Sequence, residues 1–229
     1  MIHENKYPKT IAIDGPAASG KSSVGKMIAD QLNYTFLDTG VMYRAVTFAV
    51  IEKGIDITNE KLVGELAETI SIEVRRSKED GESGYDIFID SQDVSENLKS
   101  NAVNQLVSQV SRYERVRTAM TEQQKKIGRA GAIVMAGRDI GTVVLPDADI
   151  KIYLEASPQE RARRRFKEEN EKGIAASYED ILCNVRMRDE IDSNRDIAPL
   201  KPAVDAHIIN TDGKDIAKVT AEIMHLISN

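Results

Sequence analysis

The sequence predicts an α/β fold in which helices cover both faces of a parallel sheet of five strands. Short apolar runs rich in β-branched residues alternate along the chain with segments whose apolar residues recur at helical spacing. The runs are continuously apolar, which is typical of strands that are buried on both faces of a parallel sheet. A glycine-rich turn follows the first of these runs. Together these observations predict a doubly wound architecture.

Five apolar runs are the predicted strands, and each of the first two is followed by a predicted helix. The strands are expected at residues 10–13, 34–38, 132–137, 150–154 and 207–210. The first helix is indicated by Val24, Met27, Ile28 and Leu32, and the second by Tyr43, Val46, Thr47 and Val50.

Two segments depart from this alternation of strand and helix. Residues 71–90 contain two alternating stretches around a charged, glycine-containing turn, which is typical of a β-hairpin. We therefore predict an inserted, β-rich subdomain at about residues 60–100. Residues 157–195 form a helical stretch rich in Arg and Glu with Gly173 near its middle, and we predict a mobile lid at about 157–180. The chain 1–229 is expected to be a single domain carrying these two elaborations.

Composition narrows the classes of function. The chain has 31 basic and 37 acidic residues among 229, a net charge of −6, and aromatic residues make up 5%. This balance argues against binding of a nucleic acid polymer, which needs a basic surface. No apolar run approaches the ~20 residues that a membrane span needs, and the polar first residues do not resemble a signal peptide. We expect a monomer with small-molecule substrates and no membrane partner.

Cysteine and histidine usage adds two expectations. The single cysteine, Cys183, cannot form an internal disulfide, which fits a reducing cytoplasm. We expect it to pack in the interior as free cysteines usually do. His3, His207 and His225 are scattered without ligand spacing, so no metal site built on histidine is predicted.

The stretch IAIDGPAASGKSS carries the spacing G-x-x-x-x-G-K-[ST] between Gly15 and Ser22. In such a loop the backbone N–H groups cradle phosphate oxygens, helped by the positive end of the following helix. Lys21 is expected to reach the β- and γ-phosphates, and the hydroxyl of Ser22 to bind Mg²⁺. The fold is therefore expected to be of the P-loop NTPase type.

Such a loop serves nucleotide switches, motors and phosphotransferases. A GTPase should carry a base-reading N-K-x-D motif after the loop, but the nearest match, residues 5–8, precedes the loop and lacks the Asp. A motor or transporter ATPase should show an apolar strand that ends in an acid, but the run at 132–137 ends in Ala136 and Gly137. Phosphoryl transfer to a small acceptor remains.

A phosphate-bearing acceptor needs guanidinium groups, because arginine presents paired donors that match phosphate oxygens. The chain offers such arginines at strand ends and helix starts, where a doubly wound sheet binds its ligands. They are Arg44, Arg117, Arg138, Arg188 and Arg195.

Several blocks together resemble the bacterial cytidylate kinases. They are DTGVMYRA at 38–45, SQVSRYERVR at 108–117, AGRDIGTVVLPDADIKIYLE at 136–155 and RDEIDSNRDIAPLKPAVDA at 188–206, besides the phosphate loop. The blocks span nearly the whole chain in the family's order, and the third and fourth distinguish this family from adenylate and guanylate kinases. The resemblance implies ATP-dependent phosphorylation of CMP and dCMP, with an inserted β-rich domain that binds the nucleoside monophosphate and a closing lid.

The resemblance also implies roles for individual residues. The ATP cradle would comprise Gly15, Pro16, Ala17, Ala18, Ser19, Gly20, Lys21, Ser22 and Ser23. Ser108, Arg117 and Asp139 resemble the cytosine readers, Arg188 and Asp192 the residues that face the sugar, and Thr39 and Tyr43 line the same pocket. Arg44, Arg138 and Arg195 resemble the clamp on the acceptor phosphate, and Arg161 to Arg165 lead into the lid. The implied catalytic residues are Lys21, Arg44, Arg138, Arg188 and Arg195.

Two departures from the family pattern and two alternative functions remain open at this point. Ala136 stands where much of the family has an acid, so a carboxylate near Mg²⁺ would come from elsewhere, with Asp14 and Asp38 as candidates. Asn210 replaces a commonly acidic residue in the last strand, and we assign it no role. The alternatives are another small-molecule kinase, for UMP or shikimate, and a module that binds a nucleotide or RNA without catalysis.

Overall fold

The computed structural model describes residues 7–77, 85–195 and 197–228. These residues form two compact units. One unit falls within Met1–Tyr34 and Ala132–Asn229, and the other is Thr35–Gly131.

The described residues contain eight strands and eight α-helices. The strands are β1 (Thr10–Asp14), β2 (Thr35–Asp38), β3 (Ile72–Arg76), β4 (Tyr85–Ile89), β5 (Gln92–Asp93), β6 (Ile133–Gly137), β7 (Ile150–Glu155) and β8 (His207–Asn210). The helices are α1 (Lys21–Leu32), α2 (Gly40–Glu52), α3 (Glu60–Thr69), α4 (Asn101–Val110), α5 (Glu114–Arg129), α6 (Pro158–Glu171), α7 (Tyr178–Ser193) and α8 (Ile216–Ser228). A 3₁₀ turn at Asn97–Lys99 and a π-helical turn at Ile140–Val144 complete the regular structure of these residues.

The predicted five-stranded parallel sheet is present, and its strands are β1, β2, β6, β7 and β8. Within the first unit the order is β6-β1-β7-β8, and each neighbouring pair is parallel. The last residues of β1 and β6, Asp14 and Gly137, are register partners. The loops that follow these two strands therefore start side by side at the carboxyl edge of the sheet.

Burial along the strands confirms the prediction of a covered sheet, with one exception. Every residue of β6 and nearly every residue of β1 is buried. Because successive side chains in a strand point to opposite faces, both faces must be covered. The prediction is wrong for β8, in which Ile208 is 55% exposed and Ile209 is buried. Among the described residues β8 is the last strand of the sheet and has a neighbouring strand on one side alone.

Helices α6 and α7 pack against each other through a small apolar core. Ala162, Ile181 and Val185 are buried in it, and the rings of Phe166 and Tyr178 meet edge to face with centroids 6.3 Å apart. The predicted interior position of Cys183 is wrong, because this residue is exposed. It lies on α7 between Ile181 and Val185, which are four residues apart and share the buried face, so Cys183 falls on another face.

The second unit combines an antiparallel sheet with helices α2 to α5. β3 pairs with β4 from Ile72↔Ile89 to Arg76↔Tyr85, and β4 pairs with β5, both antiparallel. Both strands of the predicted hairpin are thus present, while most of its turn, residues 78–84, lies outside the described residues. The rings of Phe36 and Tyr85 lie 6.0 Å apart, so β2 and β4 contribute to one core.

Across residues 7–77, 85–195 and 197–228, no helix combines the length and the apolarity that spanning a membrane requires.

Candidate active site

The glycine-rich loop occupies the connection between β1 and α1. Gly15 has φ +147°, and a Cβ at this position would lie 2.3 Å from the carbonyl oxygen of Leu154 in β7. Gly20 has φ +97° and immediately precedes the first turn of α1. A side chain at residue 15 would clash with Leu154, and at residue 20 the positive φ is unfavourable for any residue with a Cβ. The loop can therefore bring its backbone N–H groups close to a phosphate at the positive end of α1.

Lys21 is buried at the start of α1 and lies against the loop. Its ammonium donates to the carbonyl oxygen of Pro16 at 2.6 Å and is 3.5 Å from the hydroxyl of Ser19. A buried ammonium beside the cradle is a fixed positive charge where phosphate oxygens would lie. Ser22 follows it in the first turn of α1 and is exposed. These features fit the triphosphate of ATP.

A cluster of charged side chains lies after β6 and at the end of α7. The Nε of Arg138 donates to Oδ2 of Asp192 at 2.7 Å, and Nη1 of Arg195 is 3.9 Å from Oδ1 of the same carboxylate. Arg188, one turn earlier on α7, also acts electrostatically on Asp192. Burial raises the pKa of this carboxyl, but Arg138, Arg195 and Arg188 outweigh it and hold the pKa below its ordinary value. The structure thus brings together four residues predicted for the acceptor.

Asp14 links the phosphate loop to the segment that carries Arg138 and Asp139. It is 3% exposed and directly precedes Gly15. Its Oδ1 accepts the N–H of Ile140 at 2.8 Å, and its Oδ2 accepts the N–H of Gly141 at 2.7 Å. Both oxygens of this candidate magnesium carboxylate are therefore used to hold the chain that follows Asp139.

Asp14 has a strongly perturbed pKa. Burial raises it, the two backbone N–H groups of Gly141 and Ile140 lower it, and the charges of Asp139 and Lys21 act in opposite directions. The result is a pKa raised from 3.8 to about 6. Ionised Asp14 is therefore less favourable in the folded protein than in the unfolded chain.

This shift predicts how stability depends on pH. Between about pH 4 and 6 the folded state binds the proton of Asp14 more tightly than the unfolded state, so stability decreases as the pH rises. We expect the free energy of unfolding of the wild type to fall by roughly 2–3 kcal/mol relative to Asp14→Asn between these limits. Urea unfolding of both proteins at several pH values measures the difference. A difference that does not change with pH would contradict this explanation.

In the second unit, Tyr43 and Arg117 are neighbours. The guanidinium carbon of Arg117 lies 5.7 Å from the ring centroid of Tyr43, within the range of a cation–π contact. Arg117 is buried, and its Nη1 also donates to the carbonyl oxygen of Ser111 at 3.4 Å. A fixed arginine beside an aromatic ring can hold a planar base.

The other predicted residues of the second unit are placed by separate contacts. Nη1 of Arg44 donates to the carbonyl oxygen of Leu98 at 3.2 Å and to Oδ1 of Asn104 at 2.5 Å. Thr39 is buried, whereas Ser108 is exposed on α4. Asn104 therefore orients a predicted catalytic arginine, and no motif in the sequence pointed to it.

The glycine-rich loop with the buried Lys21 lies at the carboxyl edge of a parallel sheet, as does the arginine cluster around Asp192. This combination defines a P-loop kinase. A family model described as cytidylate kinase matches residues 11–229. The chain is similar to the cytidylate kinases of Enterococcus faecalis, with 47% identity over 218 residues and 95% of each chain covered, and of Bacillus subtilis, with 40% identity over 218 residues, 95% of this chain and 96% of that one. The chain belongs to the cytidylate kinase family.

Comparison of structures gives a more distant likeness. An uncharacterized protein from Eubacterium ventriosum superposes with a TM-score of 0.50 at 12% identity, covering 96% of this chain and 98% of that one. At this identity the likeness concerns the fold alone.

Proposed function

We propose that this enzyme transfers the γ-phosphoryl group of ATP to CMP and dCMP, giving ADP and CDP or dCDP. The main support for this proposal is that the phosphate loop lies beside the segment after β6 that carries Arg138 and Asp139. Asp14 and Gly137 are register partners, and Asp14 accepts hydrogen bonds from the N–H groups of Ile140 and Gly141. In a member of the cytidylate kinase family, this arrangement supports transfer between two nucleotides.

The chemistry requires little from the protein beyond position and charge. The attacking oxygen of a monophosphate is already anionic at neutral pH, so no general base is needed. Two anions must be held in line while negative charge spreads over the transferred group. Lys21 lies at the donor loop, and Arg138 and Arg195 lie around Asp192. These cations would neutralise the charge of the donor and acceptor phosphates.

Residue roles on the acceptor follow the family pattern and the placement of the side chains. We propose that Ser108, Arg117 and Asp139 read the cytosine base, that Arg188 and Asp192 bind the sugar, and that Thr39 and Tyr43 line the pocket. Arg44, Arg138 and Arg195 would hold the acceptor phosphate. Support comes from the contact of Arg117 with Tyr43 and from the ion pair of Arg138 with Asp192.

Mg²⁺ would bind with ATP through the hydroxyl of Ser22, an oxygen donor of the kind that this ion prefers. The described part of the chain contains no cluster of three His, Cys, Asp or Glu side chains placed to hold a metal. This fits an ion held largely by substrate phosphates, which is usual for Mg²⁺. The bound ion would neutralise phosphate charge during transfer.

The β-rich segment 60–100 would serve as the nucleoside-monophosphate subdomain and the segment 157–180 as a lid that excludes water. We further propose a monomer that acts in the cytoplasm in pyrimidine nucleotide metabolism.

The acceptor arginines give a specific prediction. Arg188→Ala and Arg195→Ala should each lower kcat/KM for CMP by roughly 10- to 100-fold, because a charged hydrogen bond contributes about 1.5–3 kcal/mol. ATP affinity measured without CMP should change far less. Arg186→Ala is the matched control, since Arg186 is exposed on α7, the helix that carries Arg188. Equal losses of ATP affinity would assign these arginines to the donor site or to the fold.

The proposed function is tested by the rate of ADP release from Mg-ATP with a panel of acceptors. CMP and dCMP should give the highest kcat/KM, and UMP, AMP, GMP and shikimate much lower values. Turnover with UMP or shikimate that equals or exceeds turnover with CMP would overturn the proposed substrate.

A further inference from the structure

Arg161 lies in the arginine-rich segment that the sequence assigned to the start of a lid, yet it is fixed in the interior. It is 2% exposed on the first turn of α6. Its Nη1 and Nη2 donate to the two carboxylate oxygens of Asp189 on α7, at 2.8 Å and 2.5 Å. Its Nε donates to the carbonyl oxygen of Ala156 at 2.9 Å. Such a two-pronged pair fixes the plane of the guanidinium.

The same guanidinium also reaches the phosphate loop. Nη1 of Arg161 donates to the carbonyl oxygen of Ala17 at 3.2 Å. In a planar trans peptide the C=O and the following N–H point in opposite directions. Holding the carbonyl of Ala17 toward Arg161 therefore turns the N–H of Ala18 the other way. Ala18 itself has φ +60°, an unfavourable conformation for a residue with a Cβ, which an external restraint of this kind would help to hold.

A second carbonyl of the loop is held in a similar way. Nη1 of Arg164 lies 3.4 Å from the carbonyl oxygen of Ser19, and the hydroxyl of Thr211 lies 3.3 Å from the same oxygen. Together with the ammonium of Lys21 on Pro16, cationic side chains therefore contact the carbonyls of three loop residues. The carbonyls of Ala17 and Ser19 face arginines of α6, which directs the N–H groups of the residues that follow them, Ala18 and Gly20, away from these arginines.

We propose that Arg161, oriented by Asp189, is a positioning residue that holds the phosphate loop in its nucleotide-binding conformation. The inference rests on the proposed function only in taking the loop as the ATP cradle. Arg161 acts through the carbonyl of Ala17 and through α7, where Asp189 adjoins Arg188. The first turn of α6, at the start of the segment 157–180, is thereby part of the donor site.

Two variants separate positioning from stability. Arg161→Lys keeps the charge but loses the fork that reaches Asp189 and Ala17 together. In the double variant Arg161→Met with Asp189→Leu, apolar side chains replace the ion pair, a change that often leaves stability unaltered. Arg115→Lys is the matched control, because Arg115 also makes a two-pronged pair, through Nε and Nη2 with Glu68, on the surface of the second unit.

The readout is equilibrium binding of ADP without an acceptor, with thermal unfolding in parallel. Arg161→Lys should weaken ADP binding at least tenfold and raise KM for ATP similarly, while KM for CMP stays within about twofold. The double variant should unfold near the wild-type temperature and still bind ADP at least tenfold more weakly. Arg115→Lys should match the wild type in all three measurements.

Specific outcomes overturn the proposal. ADP affinity within twofold of wild type in a folded Arg161→Lys protein would show that the loop keeps its conformation without the fork. Equal increases of KM for ATP and CMP would indicate a general effect on the fold. If the double variant does not fold, the Arg161→Lys protein decides. ADP binding is independent of the acceptor, so a wild type that fails to phosphorylate CMP would refute the proposed function and leave this test intact.

Discussion

Replacing Lys21 by alanine is expected to lower kcat with ATP and CMP by at least about 10²–10³-fold while the protein stays folded. Removing a donor that stabilises transition-state charge in a water-excluded site costs roughly 3–4 kcal/mol. Lys21 is a buried ammonium whose hydrogen bond to the carbonyl of Pro16 places it at the loop. It would act on the phosphoryl group during transfer, so kcat should fall more than ATP affinity.

Lys218→Ala is the control for this experiment. Lys218 is an exposed lysine of α8 in an ion pair with Asp215, and surface pairs of this kind contribute about 0–1 kcal/mol. Steady-state kinetics and thermal unfolding of both variants give the comparison. Near-normal turnover in a folded Lys21→Ala protein would remove Lys21 from phosphoryl transfer.

Replacing Asp139 by alanine is expected to abolish most of the discrimination between CMP and UMP. The two bases differ at position 4, where cytosine carries an amino donor and uracil a carbonyl acceptor. A carboxylate accepts hydrogen bonds only, so Asp139 would bind the amine and repel the carbonyl. A site built to hydrogen-bond a substrate group can reject the analogue that lacks it by roughly 10⁴-fold. The buried position of Asp139 beside Arg138 supports this assignment.

Two variants make the test sharper. Asp139→Ala should reduce kcat/KM for CMP heavily and for UMP much less. Asp139→Asn can present either its oxygen or its amide to the base, so it should retain more activity and accept both nucleotides. Asp147→Ala, at an exposed residue of the same connection, is the control. An unchanged ratio of kcat/KM values for CMP and UMP would exclude Asp139 from base recognition.

The sheet and the phosphate loop could be predicted because their signals are local. Continuous apolar runs predicted all five strands, and the spacing from Gly15 to Ser22 placed the loop between β1 and α1. The exposure of Ile208 could not be predicted from its apolar strand, because strand order in the sheet decides it. Similarly, which face of α7 packs on α6 decided the exposure of Cys183.

The site was predictable in its charged residues but not in the contacts that orient them. Placement at strand ends and helix starts selected Arg138 and Arg195, and the family resemblance added Asp192; the structure places the three together. Asp14 accepts a backbone N–H from Ile140, which is far away in the sequence. Asp189 pairs with Arg161 on a different helix, α6. Sequence patterns indicate neither contact. Nothing in the pattern of an arginine-rich helix distinguishes a buried Arg161 from its exposed neighbour Arg163.

Phosphoryl transfer from ATP to a cytidine monophosphate is the proposed activity, and the fate of the γ-phosphorus shows whether it occurs. The purified protein is incubated with Mg²⁺, ATP labelled at the γ-phosphorus, and CMP, and the products are separated. We predict that the label appears at the β-position of CDP in amounts equal to the ADP formed. Label released as inorganic phosphate, or label that stays in ATP while the protein is folded, would contradict the claim.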